Sequence, residues 1–180
     1  MRGRRFLSAS GAIFSEQDIY LFREGSHARL YSLLGAHRAE EAGQTGFQFA
    51  VWAPNAKFVS VTGDFNDWQA KRHPLRCRDD NSGIWQGFVK GAKAGDSYKF
   101  HIEGANGFVA EKADPFAIHT EEPPRSASRL WTLEYNWEDA DWMAGRHAAN
   151  ALDAPMSVYE VHLGSWRRAP EEGNRHLSGL

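Results

Sequence analysis

The period of the hydrophobic positions changes along this chain, and each change predicts a different kind of structure. Residues 15–35 carry apolar side chains at helical spacing, which predicts two short helices, the first capped by Ser15 and ended by Gly25. From Phe47 onward the period becomes two, as in strands with one buried face. Short alternating segments continue to about residue 133, and they predict an antiparallel, immunoglobulin-like β-sandwich.

Turn residues separate the strands of this predicted sandwich. The strands are expected at 47–52, 58–62, 84–89, 98–102, 108–111 and 130–133. Asn106 and Gly107 are typical of a two-residue hairpin turn, so they predict that 98–102 pairs with 108–111. The same pattern indicates that Tyr98, Phe100 and Ile102 point to one side of their strand.

Residues 156–163 break the alternation with a nearly continuous apolar run. Such runs are typical of strands buried on both faces of a parallel sheet, so we expect a second domain to begin here and to be truncated. The predicted organisation is a tail with short helices at 1–42, the β-sandwich at 43–133, a linker at 134–155 and the start of the second domain at 156–180.

Composition excludes several classes of function. The formal net charge is −2, which argues against a nucleic-acid partner. A single cysteine, Cys77, cannot form an intramolecular disulfide, which favours a reducing, cytoplasmic location. Hydrophobic runs stay well below the ~20 residues of a membrane span. The arginines at 2, 4 and 5 precede too few apolar residues for an export signal, so we expect a disordered basic tail there.

The loop at 63–68, with sequence Gly-Asp-Phe-Asn-Asp-Trp, combines turn formers with a large ring. Trp68 at such a turn is well placed to offer its flat face to a ligand. The alternative is that the ring folds back and covers the edge of the sandwich. Seven Trp and five Tyr are many for this length, and amphipathic rings suit the apolar faces of sugars.

Several segments resemble one family of carbohydrate-active proteins. The segments 63–68, 98–100 and 112–117 resemble the family-48 carbohydrate-binding module. The segment 158–166 is similar to the first strand of the (β/α)8 barrel in 1,4-α-glucan branching enzymes of the α-amylase superfamily, and 21–25 and 34–37 are similar to the segment before the module in bacterial glycogen branching enzymes. The resemblance therefore covers about residues 15–178.

The resemblance implies a parent enzyme of glycogen biosynthesis that transfers α-1,4-glucan chains to α-1,6 branch points. In that family an aspartate nucleophile, a glutamate acid/base and a second aspartate perform retaining chemistry, on later barrel strands. Their motifs are absent here, so this chain is expected to be an inactive fragment without catalytic residues. The alternatives are a stand-alone glucan-binding module and the module of a debranching or trehalose-forming relative.

The resemblance also implies which residues contact an α-glucan such as glycogen or a linear α-1,4-glucan. The expected contacts are Trp68, Asn66, Lys99 and Phe108. Lys99 matches a lysine that contacts sugar hydroxyls in related modules, and a merely solvated lysine is the alternative. Phe108 stands near the position of a second stacking tryptophan. The other expected partner is the missing catalytic barrel.

No metal or other cofactor is expected. The eight histidines are scattered, and none shows the His-x-x-x-His spacing with acidic support that a zinc site needs.

Overall fold

A computed structural model describes residues 14–162, 166, 168–169 and 175–176, and the chain divides into two compact units, Met1–Glu134 and Tyr135–Leu180. The predicted basic tail lies outside the described residues. Within the described part of the chain, no helix has the length and apolar character that a membrane crossing requires.

The first described element of the first unit is helix α1, Glu16–Glu24. The predicted cap is confirmed, because the Asp18 amide donates to Ser15 Oγ at 3.2 Å and the Asp18 carboxylate accepts from the Ser15 amide at 2.9 Å. Gly25 ends α1 at φ 78°, as predicted. The second predicted helix is instead one 3-10 turn, Leu30–Ser32, since the chain enters a strand at Gly35.

Two antiparallel sheets form the body of the first unit. Their strands are β1 Gly35–Glu41, β2 Gln44–Trp52, β3 Ala56–Gly63, β4 Arg76–Cys77, β5 Ile84–Lys90, β6 Ser97–Gly104, β7 Val109–Lys112, β8 His119–Thr120 and β9 Ser128–Arg129. Sheet A has the order β1-β2-β5-β4. Sheet B has the order β3-β6-β9-β8, and β7 also pairs with β6. The prediction of a mainly β, antiparallel fold is confirmed.

The inner faces of the two sheets share one hydrophobic core. Its fully buried members include Phe49 from sheet A and Val59, Val61 and Phe100 from sheet B. The outer face of sheet B carries the side chains of alternate residues. Part of this face is covered, because Ser60 and Thr62 of β3 are 0% exposed and Ser60 Oγ donates to the Ala70 carbonyl. On sheet A, a second cluster that includes Ile19 of α1 covers Ala50 and Ile84, so the helical lead packs on the outside of that sheet.

Two turns differ from the expectation. The segment of β1 was predicted as part of the helical lead, but it forms a strand that pairs with β2 along its whole length. The turn that connects the two strands consists of Ala42 and Gly43, which have φ of 50° and 74°. Positive φ at both positions is typical of the two-residue turns that suit twisted strands. The hairpin after β6 pairs as predicted, but four residues, 105–108, separate β6 from β7, and Gly107 among them has φ 84°.

The end of the sandwich and the second unit also differ from the prediction. The last strand, β9, precedes the predicted segment 130–133. The predicted linker contains a helix, α2, at Ala140–Ala149, and a short antiparallel pair, β10 Arg168–Ala169 and β11 Arg175–His176, lies further on.

The strand predicted at 156–163 is not present in its described part, 156–162, and Leu163 lies outside the described residues. Val158 is 81% exposed there and Tyr159 is 77% exposed. A strand buried on both faces needs neighbouring strands to complete its hydrogen bonds, and no described strand pairs with these residues.

Candidate functional site

The loop at 63–68 is built around the buried amide of Asn66. This side chain is 1% exposed, its Oδ1 accepts from the Gly63 amide at 2.9 Å, and its Nδ2 donates to the Val61 carbonyl at 2.9 Å. Nδ2 also lies 2.9 Å from Nδ1 of His73. Asn66 therefore organises the loop from beneath, and it is not available to the sugar contact that the sequence predicted for it.

His73 supports this arrangement electrostatically. Burial, with a contribution from the neighbouring charge of Arg72, lowers the pKa of its imidazole from the usual value. The ring is therefore neutral near pH 7, and its Nδ1 can accept the second hydrogen of the Asn66 amide. Because the partners of Asn66 are Gly63 and Val61 of β3 and His73 beyond the loop, the protein itself supplies the hydrogen bonds that anchor the loop.

Trp68 ends the loop with its ring accessible. The indole is 38% exposed, and its Nε1 donates to Asp64 Oδ1 at 3.0 Å. The other carboxylate oxygen of Asp64 accepts from the Ser97 amide at 2.7 Å, which ties the loop to the start of β6. A side chain at Gly63 would collide with the Ser97 carbonyl oxygen, so glycine allows this close approach. The ring is thus oriented by its N–H while more than a third of its surface stays open.

Lys99 lies on the outer face of sheet B at the same end of the strands. It is paired with Thr62 on β3, and its Nζ donates to Ser126 Oγ at 3.1 Å. Thr62 Oγ1 is buried and has no hydrogen-bond partner. Lys99 is therefore placed at the end of sheet B from which the Trp68 loop departs.

Phe108 lies elsewhere. The pairs Gly63–Tyr98 and Ala56–Gly104 mark opposite ends of β3 and β6, and Phe108 follows the hairpin at the second end. Six residues of strand separate Tyr98 from Gly104, which is about 20 Å. The Phe108 ring lines a cavity of about 510 Å³ together with Trp52, Pro54, Asn55 and Asn106, among others. The structure thus does not join Phe108 to Trp68 and Lys99.

Three residues that sequence reasoning missed lie next to the Trp68 end of β6. Arg129 on β9 pairs with Ser97, and His119 on β8 pairs with Arg129. Arg129 Nε and His119 Nδ1 are buried and have no hydrogen-bond partner. Trp131, which is 41% exposed, stacks on His119 with 4.7 Å between ring centroids. No sequence pattern predicts that Arg129, His119 and Trp131 lie together, because strand pairing brings them to one place.

Within the part of the chain that the structure describes, the acidic groups show no arrangement typical of glycoside catalysis. Burial raises the pKa of Asp114, but its carboxylate is used by the Tyr98 hydroxyl at 2.5 Å and by the Phe116 amide at 2.8 Å. At Asp80, hydrogen bonds from Ser82 and Arg78 outweigh burial and lower the pKa to about 2. Asp114 is therefore a structural carboxyl and Asp80 a surface anion. Among the described residues, no three histidine, cysteine or acidic side chains cluster as a metal site would need.

Comparison with known proteins gives two kinds of match. Residues 33–117 match the profile of carbohydrate-binding module 48 (isoamylase N-terminal domain). The 1,4-alpha-glucan branching enzyme GlgB of Aromatoleum aromaticum is 59% identical over 157 residues, which are 87% of this chain and 24% of that protein.

Two other relatives with the same name are similar at comparable length. GlgB of Albidiferax ferrireducens is 56% identical over 86% of this chain and 24% of that protein, and GlgB of Aquifex aeolicus is 48% identical over 93% of this chain and 26% of that protein. The chain therefore spans about a quarter of the length of the curated relatives it matches.

Proposed function

Because this chain belongs to the family of 1,4-alpha-glucan branching enzymes and contains a family-48 carbohydrate-binding module, we propose that sheet B binds α-glucan at Trp68 and Lys99. The observation that carries the proposal is the exposed Trp68 indole, which Asp64 holds in place beside the strand that carries Lys99. In this proposal the chain itself contributes binding.

The proposed contacts follow from the two surfaces of a glucose unit. One face of the ring presents C–H groups, which pack on an aromatic plane, while the hydroxyls at its edge need polar partners. Trp68 supplies the plane and the Lys99 ammonium supplies donors. Asn66 acts as a positioning residue for the loop, and Phe108 has no part in this site.

We also propose the context in which this binding operates. The parent enzyme would transfer α-1,4-glucan chains to α-1,6 branch points with residues of its catalytic barrel. The sandwich would have immunoglobulin-like topology, and residues 156–163 would form the first barrel strand. Binding by the module would then hold a glucan chain close to the barrel that acts on it.

Electrophoresis through a gel that contains glycogen tests the binding proposal. Wild-type protein is expected to be retarded relative to a gel without glycogen, and Trp68→Ala is expected to lose that retardation because the stacking plane is removed. Phe108→Ala is the matched control, since it removes another exposed ring, 52% exposed, at the far end of β6, and it should migrate like wild type.

Thermal unfolding followed by circular dichroism would verify that both variants are folded. Equal retardation of wild type and Trp68→Ala would remove Trp68 from the site. Wild type that runs unretarded would contradict glucan binding by this chain.

A second role, as a structural partner of the barrel, is favoured by the exposed apolar run at 156–159. Met156 is 84% exposed and Val158 is 81% exposed. Hydrogen exchange at 156–162 in this chain and at the matching segment of the Aquifex aeolicus relative would test it. We expect fast exchange here and protection in the relative, and equally fast exchange in both would contradict the role.

A further inference from the structure

We propose that the glucan surface continues from Trp68 across the outer face of sheet B to Trp131, with Arg129 and His119 as hydrogen-bonding partners between the two rings. This inference rests on the proposed function, since it extends the same binding surface. It assigns three residues for which no role has been stated.

A continuous series of contacts leads from Trp68 to the middle of the sheet. The indole N–H bonds to Asp64 at 3.0 Å, and Asp64 bonds to the Ser97 amide at 2.7 Å. Ser97 precedes Tyr98, which faces the core, so the side chain of Ser97 lies on the outer face. The Trp68 loop is therefore anchored where the next strands continue the surface.

Strand register carries the surface onward. Ser97 is paired directly with Arg129, and Arg129 is paired directly with His119. Directly opposed residues of antiparallel strands point to the same face, so all three side chains lie on the outer face in one row. Three strand spacings separate β3 from β8, about 14 Å in total. The row is thus long enough for several linked sugars.

The polar atoms in the middle of the row lack partners. Arg129 Nε and His119 Nδ1 are buried without a hydrogen bond, and among the described residues no salt bridge engages Arg129. Buried polar groups in proteins are nearly always satisfied, so a small shift of the side chains that cover these two atoms, such as the Trp131 ring on His119, would let a ligand complete them. Sugar hydroxyls both donate and accept, which suits an N–H on Arg129 and either tautomer of His119.

Trp131 closes the far end of the row with a second aromatic plane. Its ring stacks on His119 at an interplanar angle of 29°, which fixes its orientation. Trp131 is 41% exposed and lines an open cavity of about 620 Å³ with Ile118 and Leu133, among others. The surface thus has an aromatic ring at each end, Trp68 and Trp131, and polar side chains between them. This arrangement suits an oligosaccharide, whose sugar units present both apolar faces and hydroxyl groups.

The charges on this surface are balanced. Glu121 pairs with Arg125 at 3.6 Å, and the Asp64 carboxylate accepts from the Ser97 amide at 2.7 Å. Because these carboxylates share the surface with Lys99 and Arg129, it lacks the concentrated positive charge on which the binding of a nucleic acid depends. The chemistry of the row therefore favours an oligosaccharide over a polyanion.

Titration calorimetry with maltose, maltotriose, maltopentaose and maltoheptaose tests the inference. Wild-type affinity is expected to rise with chain length until the sugar reaches both rings. Trp131→Ala should weaken maltoheptaose binding roughly 2- to 10-fold, as expected for one stacking contact, and leave maltose unchanged. Trp68→Ala should weaken binding at every length.

Arg129→Lys provides a second variant that keeps the charge but removes the Nε donor, and it should also affect only the longer sugars. Trp142→Ala, which removes a ring that is 58% exposed on α2, is the control and should match wild type. If wild type binds sugars but Trp131→Ala and Arg129→Lys bind every length equally well, the extended surface is wrong and the Trp68 site stands. If wild type binds no sugar, both proposals fail.

Discussion

The core of the sandwich and the segment at 156–162 are both rich in apolar side chains but have opposite environments. Phe49 and Phe100 are 0% exposed, because each sheet supplies the surface that buries the other. Val158 and Tyr159 are 81% and 77% exposed, and no described strand pairs with them. An apolar pattern therefore predicts which side chains are more stable when buried. Whether they are buried depends on a second sheet or strand that packs against them.

This difference in exposure shows that an apolar sequence and a partner surface are separate requirements for burial. In the sandwich, strand pairing and face-to-face packing act together, so the apolar side chains find both hydrogen-bonded neighbours and a second layer. In the segment at 156–162 neither is present among the described residues. Four substitutions test this contrast.

The largest effect is expected from Phe49→Ala in the core. Its ring lies 5.3 Å from Tyr98 and 6.5 Å from Phe100, so the substitution leaves a cavity between the sheets. We expect a loss of about 3–5 kcal/mol in the free energy of unfolding, measured by urea denaturation. A loss below about 1 kcal/mol would mean that the two sheets do not pack around this ring.

Asn66→Ala is expected to be the next most destabilising change. It removes the acceptor of the Gly63 amide and the donor to the Val61 carbonyl, and both groups are left buried. The expected cost is about 1–3 kcal/mol, again by urea denaturation. Gln69→Ala, at the exposed position that directly follows the loop, is the control and should have little effect. Equal losses in the two variants would contradict the role of Asn66 as the anchor of the loop.

Tyr98→Phe is expected to have an effect that grows with pH. Burial raises the pKa of Asp114, so its contribution to stability is fully present below the unfolded pKa of about 4 and is lost as pH rises through the folded pKa. The Tyr98 hydroxyl opposes this shift by donating to the carboxylate at 2.5 Å. Without it, the folded pKa of Asp114 rises further.

The expected destabilisation of Tyr98→Phe is about 1–2 kcal/mol at pH 7 and smaller at pH 4. Urea denaturation at both pH values measures it, with wild type as the reference at each. A destabilisation that shrinks between pH 4 and pH 7 would contradict the assignment of a buried carboxylate to Asp114.

The smallest effect is expected from Val158→Ser. Since this side chain is already exposed, replacing it should change the free energy of unfolding by less than about 0.5 kcal/mol. The same denaturation experiment measures the change. A cost of several kcal/mol would show that the segment is packed in solution, and the contrast with the core would disappear.

Strands with strict alternation were predictable, and strands without it were not. In β6, Tyr98 and Phe100 alternate with polar residues, and the strand and its hairpin partner were predicted from sequence. In β1, the side chains from His37 to Glu41 are polar or small and mostly exposed, so nothing in their order indicates a strand. Its existence depends on backbone hydrogen bonds to β2, which side-chain patterns do not report.

The candidate site was predictable in part for the same reason. Trp68 and Lys99 belong to recognisable local motifs, and the structure brings them to one end of sheet B. Asn66 was predicted as a sugar contact and the structure folds its amide inward, because an asparagine in a turn has the same sequence signature whether its amide faces solvent or the protein interior. Arg129 and His119 were missed, since only their register across β9 and β8 places them in one row.

The sequence by itself determined the class of fold, the apolar faces of the main strands and the motifs of a family-48 module, because these depend on residues close together in the chain. Tertiary structure decided which exposed rings share a surface, which polar side chains are buried and which apolar runs find partners. These outcomes depend on pairing between strands that are distant in sequence, and a local pattern of residues does not determine which strands pair.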